Sequence, residues 1–277
     1  MSAAPLYIVA TPIGNLQDIT LRALELLAAV DIVAAEDTRR SRVLLGHHGI
    51  ERPLLALHEH NEETQSPLLV ERMKGGESVA LVSDAGTPLI SDPGYRLVSL
   101  AVEAGIEVIA VPGASALTAA LSVSGLPTDR FGFEGFLPAK RAARGKRLQN
   151  LASETRTLVF YESSHRIESF LSDMSLALGA DRPAAVCREL TKQFETVLRG
   201  SLADLHLAVS SDANQRRGEF VIVVGGAKAS ADANLARAVG LARALVDEVG
   251  ASRAARIAAS IHAAPRREIY RQLLGQD

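Results

Sequence analysis

Short apolar runs alternate with stretches of helical periodicity through the first half of the chain. Residues 6–10 read as a strand, followed by a turn and a helix over 18–29 whose apolar Leu21, Leu24, Leu27 and Ala28 recur at helical spacing. The same rhythm continues with strands at 32–35, 53–57, 79–82 and 106–111. Helices are expected between and after them, at 38–48, 66–74, 93–104 and 115–123, with Gly49 and Gly75-Gly76 as stop signals. Strands separated by helices imply a mostly parallel sheet covered on both faces.

The pattern shifts at Gly125-Leu126-Pro127. A strand-like piece at 130–136 precedes 139–147, which carries Lys140, Arg141, Arg144, Lys146 and Arg147 and no acid. A second α/β region follows, with strands at 158–161, 184–187, 196–199 and 219–224 and helices near 166–178 and 201–209. After Gly225-Gly226 the chain becomes rich in Ala and Arg. Three helices are expected there, at 231–248, 252–261 and 265–274, with Ser252 as an N-cap and Pro265 in a first turn. The reading is three parts: an α/β domain over 1–125, a second over 126–226 and a helical appendage over 227–277.

Composition narrows the class. A chain of 277 residues with 47% apolar content builds a sizeable core, so global disorder is excluded. Thirty Lys and Arg against 32 Asp and Glu give a net charge of −2, which argues against nucleic-acid binding by bulk charge but not against a local basic patch. With 4% aromatics and no Trp, a broad base-stacking platform is not expected. The single Cys187 forms no intrachain disulfide and supplies no Cys-rich zinc site. Apolar runs are too short for a membrane span, and the first residues carry no leader pattern, so a cytoplasmic enzyme is the expectation.

Ligands of open parallel sheets bind at the carboxyl ends of the strands. Four such ends here carry polar or Gly/Pro turns: Thr11-Pro12-Ile13-Gly14-Asn15, Glu36-Asp37-Thr38-Arg39, Ser83-Asp84-Ala85-Gly86-Thr87-Pro88 and Pro112-Gly113-Ala114-Ser115. Neither G-x-G-x-x-G nor a P-loop motif is present, which weakens dinucleotides, Rossmann-type methyltransferases and P-loop nucleotides together. Carboxylates, hydroxyls and free backbone groups, with few cations, suit a neutral or cationic ligand bearing ribose, adenine and an amino-acid end.

The run Ser83-Asp84-Ala85-Gly86-Thr87-Pro88-Leu89-Ile90-Ser91-Asp92-Pro93-Gly94 resembles the signature of the ribosomal RNA small subunit methyltransferase I family, of tetrapyrrole-methylase fold. Five further segments match in order: 10–16, 35–39, 111–116, 160–166 and 188–192. The resemblance implies two α/β domains with a cofactor cleft between them, and S-adenosylmethionine as methyl donor. It implies 2′-O-methylation of a cytidine near the decoding P site of 16S ribosomal RNA, in the small ribosomal subunit, by a homodimer. Membrane and DNA partners are not expected, nor is a required metal. By motif, the resemblance carries cofactor contacts onto Pro12, Gly14, Asp84, Ala85, Gly86, Thr87, Ser115 and Ala116. It carries them less directly onto Tyr161, Glu162, Arg188 and Glu189.

Several residues have a plainer reading beside the functional one. Asp84 either contacts the cofactor or caps its own turn, and Asp92 before Pro93 reads as the N-cap of the next helix. A 2′-hydroxyl is a very weak acid, so its methylation benefits from a base. Asp37 is one candidate, against a role as helix cap and partner of Arg39 or Arg40. Lys192 is the other, if its pKa is lowered. His58-Glu59-His60-Asn61-Glu62-Glu63 reads as a loop rather than a metal site. The basic stretch 140–147 is either a solvated loop or an RNA phosphate contact, and tail arginines such as Arg253 and Arg266 could assist it. Two other functions stay open: methylation of a tetrapyrrole precursor, and a non-enzymatic RNA-binding ribosome-assembly factor.

Overall fold

The computed structural model describes residues 3–227 and 231–274, apart from the side chains of 231–233. The chain forms two compact units, Met1–Ala152 with Arg156–Gly225, and Ser153–Thr155 with Gly226–Asp277.

The first unit holds two five-stranded sheets. In the first sheet, β1 (Leu6–Val9), β2 (Ile32–Ala35), β3 (Leu54–Ala56), β4 (Val79–Val82) and β5 (Val108–Val111) run parallel in the order β3-β2-β4-β1-β5. Central strands of such a sheet are apolar on both faces because both are covered. Ile32, Ala34, Val79 and Leu81 pack with Leu69, Met73, Leu97 and Ala101 of α3 (Glu62–Lys74) and α4 (Tyr95–Glu103). The alternate Val33, Ala35, Ala80 and Val82 pack with Ala23, Leu27 and Leu45 of α1 (Leu21–Ala29) and α2 (Thr38–His47). The chain leaves β1 toward one edge and β4 toward the other, so the crevice opens between the loops after these two neighbours.

The second sheet contains β6 (Phe131–Phe136), β7 (Thr157–Ser163), β8 (Pro183–Arg188), β9 (Thr196–Ser201) and β10 (Glu219–Val224), in the order β6-β7-β10-β8-β9. Only β6 and β7 pair in parallel; the other three pairings are antiparallel. One face packs on α6 (Arg141–Asn150), α7 (Ile167–Leu178) and α8 (Leu202–Ser211) through Leu148, Phe170, Met174 and Leu205. The other face takes Ala120 and Leu121 of α5 (Ala116–Ser124) against Val159, Ala185, Cys187 and Val223. The helix that follows β5 thus buries its apolar side on the other sheet and joins the two.

Four local expectations are corrected. Helix α3 begins at Glu62 rather than near 66, with Glu62 and Glu63 complementing its first turn and Pro67 inside it. The stretch 141–150 is helix α6, not a loop. Asp92 does not cap α4: Gly94 takes that position at φ 121°, and Glu62 Oε1 of α3 accepts from the Gly94 and Arg96 N–H groups at 3.1 and 2.7 Å. Ser252 lies inside a helix whose N-cap is Gly250.

The second unit is built on α9 (Ala231–Val249), α10 (Ala251–His262) and α11 (Arg266–Leu273). Its core is mostly alanine, with Ala238, Ala242, Ala254, Ala255 and Ala258 fully buried beside Ile269, so small side chains let the backbones approach closely. Among the described residues no helix is long and apolar enough to cross a membrane.

Candidate active site

A cavity of about 410 Å³ lies in the first unit, where loops from both sheets meet. The first sheet contributes Ile13 after β1, Glu36 and Arg40 after β2, residues 84–87 and 90–92 after β4, and Ser115 and Ala116 at the start of α5. The second contributes Phe136 from β6, Tyr161, Glu162 and Ser163 from β7, Cys187, Glu189, Leu190 and Lys192 around the end of β8, and residues of β10.

Backbone pairing fixes the principal turn. The Thr11 N–H donates to the Gly86 carbonyl at 2.8 Å and the Gly86 N–H donates back to Thr11 at 3.0 Å, while the Thr11 hydroxyl donates to the Ser83 carbonyl at 3.1 Å. Thr87 Oγ1 donates to the Ala114 carbonyl at 3.2 Å, which ties the turn to the loop before α5. Gly86 stands at φ 87°, a conformation that costs glycine nothing. Leu89, Ser91, Glu189 and Thr191 also adopt positive φ, and they are four of the five non-glycine residues in the described chain that do. They sit in the two loops that edge the cavity, so backbone strain is concentrated there.

The cavity gathers three carboxylates from the first sheet, Glu36, Asp84 and Asp92. Asp84 is partly committed: Oδ1 accepts from the Asp37 N–H at 2.9 Å, not from its own turn, and Oδ2 lies 3.4 Å from Arg40. Burial pushes the Asp92 carboxyl up to about 6, the Glu36 charge adds to this against a hydrogen bond from Ser83, and Asp84 adds further. Burial also raises Glu36, with Asp84 beside it. Asp92, read as a cap in sequence, and Glu36 are therefore carboxylates that burial makes more basic at the site.

Both candidate bases are engaged in ion pairs. Asp37 does not line the cavity; it caps α2, binds Arg39 Nη2 at 2.8 Å, and is held at about 2 by the Arg39 side-chain and backbone hydrogen bonds. A carboxylate that acidic is a poor proton acceptor. Lys192 does line the cavity, but its ammonium bridges Glu189 at 2.9 Å and Glu219 at 2.8 Å. Burial disfavours its charge, yet these two partners outweigh burial and raise its pKa, so it stays protonated.

The expected cofactor residues divide. Asp84, Ala85, Gly86, Thr87, Ser115, Ala116, Tyr161, Glu162 and Glu189 all line the cavity. Pro12 and Gly14 do not. A Cβ on Gly14 would stand 2.5 Å from Lys192 Cγ, so that glycine makes room for the lysine stem. Arg188 is also displaced from the lining: its guanidinium donates to the Arg217 and Phe194 carbonyls at 2.7 and 3.0 Å and holds the β8–β9 turn. Burial pushes the Tyr161 phenol up to about 12 although the Leu117 N–H donates to it; the Asp92 charge adds to the rise. Glu162 is buried, with Oε1 accepting from the Ser163 N–H and Arg166 Nε, both at 2.7 Å, and Oε2 without a protein partner.

The basic stretch is largely paired. Arg144 is buried and grips Asp173 Oδ2 at 2.7 Å, so it faces the core and not RNA. Arg141 binds the same carboxylate at 2.9 Å, and Arg147 binds Glu134 at 2.5 Å. Lys140 and Lys146 are exposed.

Comparison with known proteins fits this architecture. Residues 5–206 match the family model of tetrapyrrole (corrin/porphyrin) methylases. The chain is 57% identical over 265 residues to ribosomal RNA small subunit methyltransferase I of Xylella fastidiosa strain Temecula1, covering 96% of this chain and 97% of that protein. It is 52% identical to the Pseudomonas aeruginosa protein of the same name, over 99% of this chain and 98% of the relative. Among solved structures, cobalt precorrin-4 methyltransferase superposes with a TM-score of 0.57 at 22% identity, covering 80% of this chain and 94% of that one. Uroporphyrin-III C-methyltransferase from Thermus thermophilus, complexed with S-adenosyl homocysteine, gives 0.55 at 20% identity, covering 80% and 97%. At these identities the structures speak for the fold alone, whereas the sequence relatives reach further: the chain belongs to the tetrapyrrole (corrin/porphyrin) methylases and, within them, to the ribosomal RNA small subunit methyltransferase I family.

Proposed function

We propose that this chain transfers a methyl group from S-adenosylmethionine to the ribose 2′-oxygen of a cytidine in 16S ribosomal RNA, near the decoding P site. The observation that carries the reading is the two-sheet cavity. Its 410 Å³ falls within the range of about 300–1,000 Å³ that holds small ligands. Its walls carry turn backbone, hydroxyls and carboxylates, a donor set suited to an adenosyl group with a cationic sulfur. The names of relatives at 57% and 52% identity support ribosomal RNA as the acceptor.

The turn 84–87 and residues Ser115 and Ala116 would hold the donor, which supplies an activated methyl carbon when bound. The chain's own contribution is to position the acceptor oxygen in line with that carbon. Asp92 accepts the hydroxyl proton: its carboxyl is more basic than an ordinary aspartate yet still ionised above about pH 6. The donor's sulfur would leave with the electron pair of the bond to its methyl carbon, and the role of this chain is to hold the proton released by the acceptor oxygen on the Asp92 carboxylate. The homodimer, the cytoplasmic setting and a substrate that is 16S ribosomal RNA or the small subunit holding it belong to the same reading, on the strength of the family resemblance.

The test is labelled methyl transfer to small subunits from a strain that lacks this protein, with the modified nucleotide then mapped. Label on one cytidine ribose is expected. Label on a base, or none, overturns the reading. Sedimentation of the purified chain checks the dimer.

A further inference from the structure

Folding leaves one large apolar ring in water at the cavity. Phe136 ends β6, lines the cavity and is 56% exposed. An unbroken strand would not put it there. Phe133 pairs with Val159 and Phe136 with Tyr161, and the register shifts between Phe133 and Gly135. Val159 and Tyr161 are two apart on β7 and share a sheet face. Phe133 and Phe136 are three apart on β6, so with strict alternation they would face opposite ways. The extra residue, Glu134, restores the face, and a bulge re-aims Phe136 toward the cavity.

Two neighbours hold the ring in place. Tyr161 meets it edge-on, with centroids 5.6 Å apart at 67°, and Phe133 backs Tyr161 at 4.9 Å. Gly135 stands at φ 60°, and a Cβ there would lie 2.9 Å from Ser91 Oγ. The backbone beside Phe136 therefore abuts the loop that carries Asp92.

We propose that Phe136 is the platform on which the target nucleobase stacks, placing the attached ribose toward Asp92. The inference rests on the RNA-methylating reading above and deepens it. Stacking needs a base with a free face, so the acceptor nucleotide enters unpaired and splayed out of its helix. A planar base is the complement of an exposed aromatic face, and one such contact changes binding by about tenfold to a hundredfold.

The chain has no Trp, so Phe136→Trp creates a unique fluorophore at the mouth. Leu207→Trp, on exposed α8 surface away from the cavity, is the control. Phe136→Ala is expected to raise KM for small subunits about tenfold to a hundredfold. Its kcat is expected to fall as well, because the ring also places the ribose, while its affinity for S-adenosylmethionine is expected to stay within about threefold of wild type. Phe136→Trp is expected to restore KM. A single-stranded cytidine-containing RNA should quench its emission, and the same RNA in a duplex should not; the Leu207→Trp control should be silent to both. Wild-type KM in Phe136→Ala, failure of Trp to restore a raised KM, or no quenching by single-stranded RNA overturns the platform while wild-type labelling leaves the broader reading standing. Quenching by uroporphyrin and not by RNA also overturns it. Absence of RNA labelling by wild-type protein overturns the broader reading, and the platform with it.

Discussion

Asp37 and Asp92 follow strands of the same sheet, yet Arg39 holds one at about 2 and burial lifts the other to about 6. With Asp92 as proton acceptor, kcat falls as pH drops through about 6 and is level above it. Asp92→Asn is expected to lower kcat at least a hundredfold at pH 8 with donor affinity within about threefold, read by single-turnover labelling and calorimetry. The same substitution affects stability in the opposite sense. Folding raises this carboxyl from 3.8 to about 6, so the folded state binds more protons in that window and loses stability as pH rises through it. Asp92→Asn is therefore expected to be more stable than wild type at pH 8, on the order of 1–2 kcal/mol after allowance for solvent screening, with the difference gone below about pH 4, measured by urea unfolding. The motif around Asp84 was legible in sequence, and nine of the twelve expected cofactor residues line the cavity. The roles of the two aspartates were not legible. Their acidities depend on the Arg39 hydrogen bonds in one case and on burial, Glu36 and Ser83 in the other, a folded arrangement that spacing in one segment does not encode.

Helix α6 shows why an element can escape a periodic reading. Its inward positions are Arg144 and Leu148, so one of the two core-facing side chains is a cation and the apolar stripe is broken. Asp173 makes that burial tolerable. Asp173→Ala strands a buried guanidinium and is expected to cost about 3–5 kcal/mol in unfolding free energy. The paired change Lys140→Ala with Lys146→Ala leaves unfolding unaltered. If these two exposed cations meet phosphate, it lowers the slope of log K against log salt for RNA by about two; an unchanged slope assigns them to solvent. The turn entering α4 is more demanding. A Cβ at Gly94 would meet Leu81 Cδ2 at 2.6 Å with φ at 121°. Gly94→Ala is expected to cost about 2–4 kcal/mol and to weaken donor binding by displacing the neighbouring Asp92 loop.

At the scale of the molecule, the parallel sheet was readable because covered strands are continuous apolar runs separated by helices. The second sheet was readable as strands but not as a mixed arrangement, since period-two patterning is the same whichever way a neighbour runs. The docking of α5 on the second sheet was hidden as well, because an apolar stripe does not name its partner. Every residue lining the cavity belongs to the first compact unit. A chain ending at Gly226 is therefore expected to bind S-adenosylmethionine within about threefold of the full-length affinity, by calorimetry. A loss of more than tenfold would show that the helical unit shapes the donor site.

The bulge at Glu134 lies in the border strand of its sheet, where a change in strand length disturbs a single pairing. Losing or gaining one amino acid there rotates whatever follows by half a turn and offers the incoming acceptor a new surface. The turn 84–87 and the start of α5, which would grip the methyl source, hang from the opposite sheet. The strand edge that meets the acceptor is thus set by one pairing, and the donor turn by separate bonds between Thr11 and Gly86.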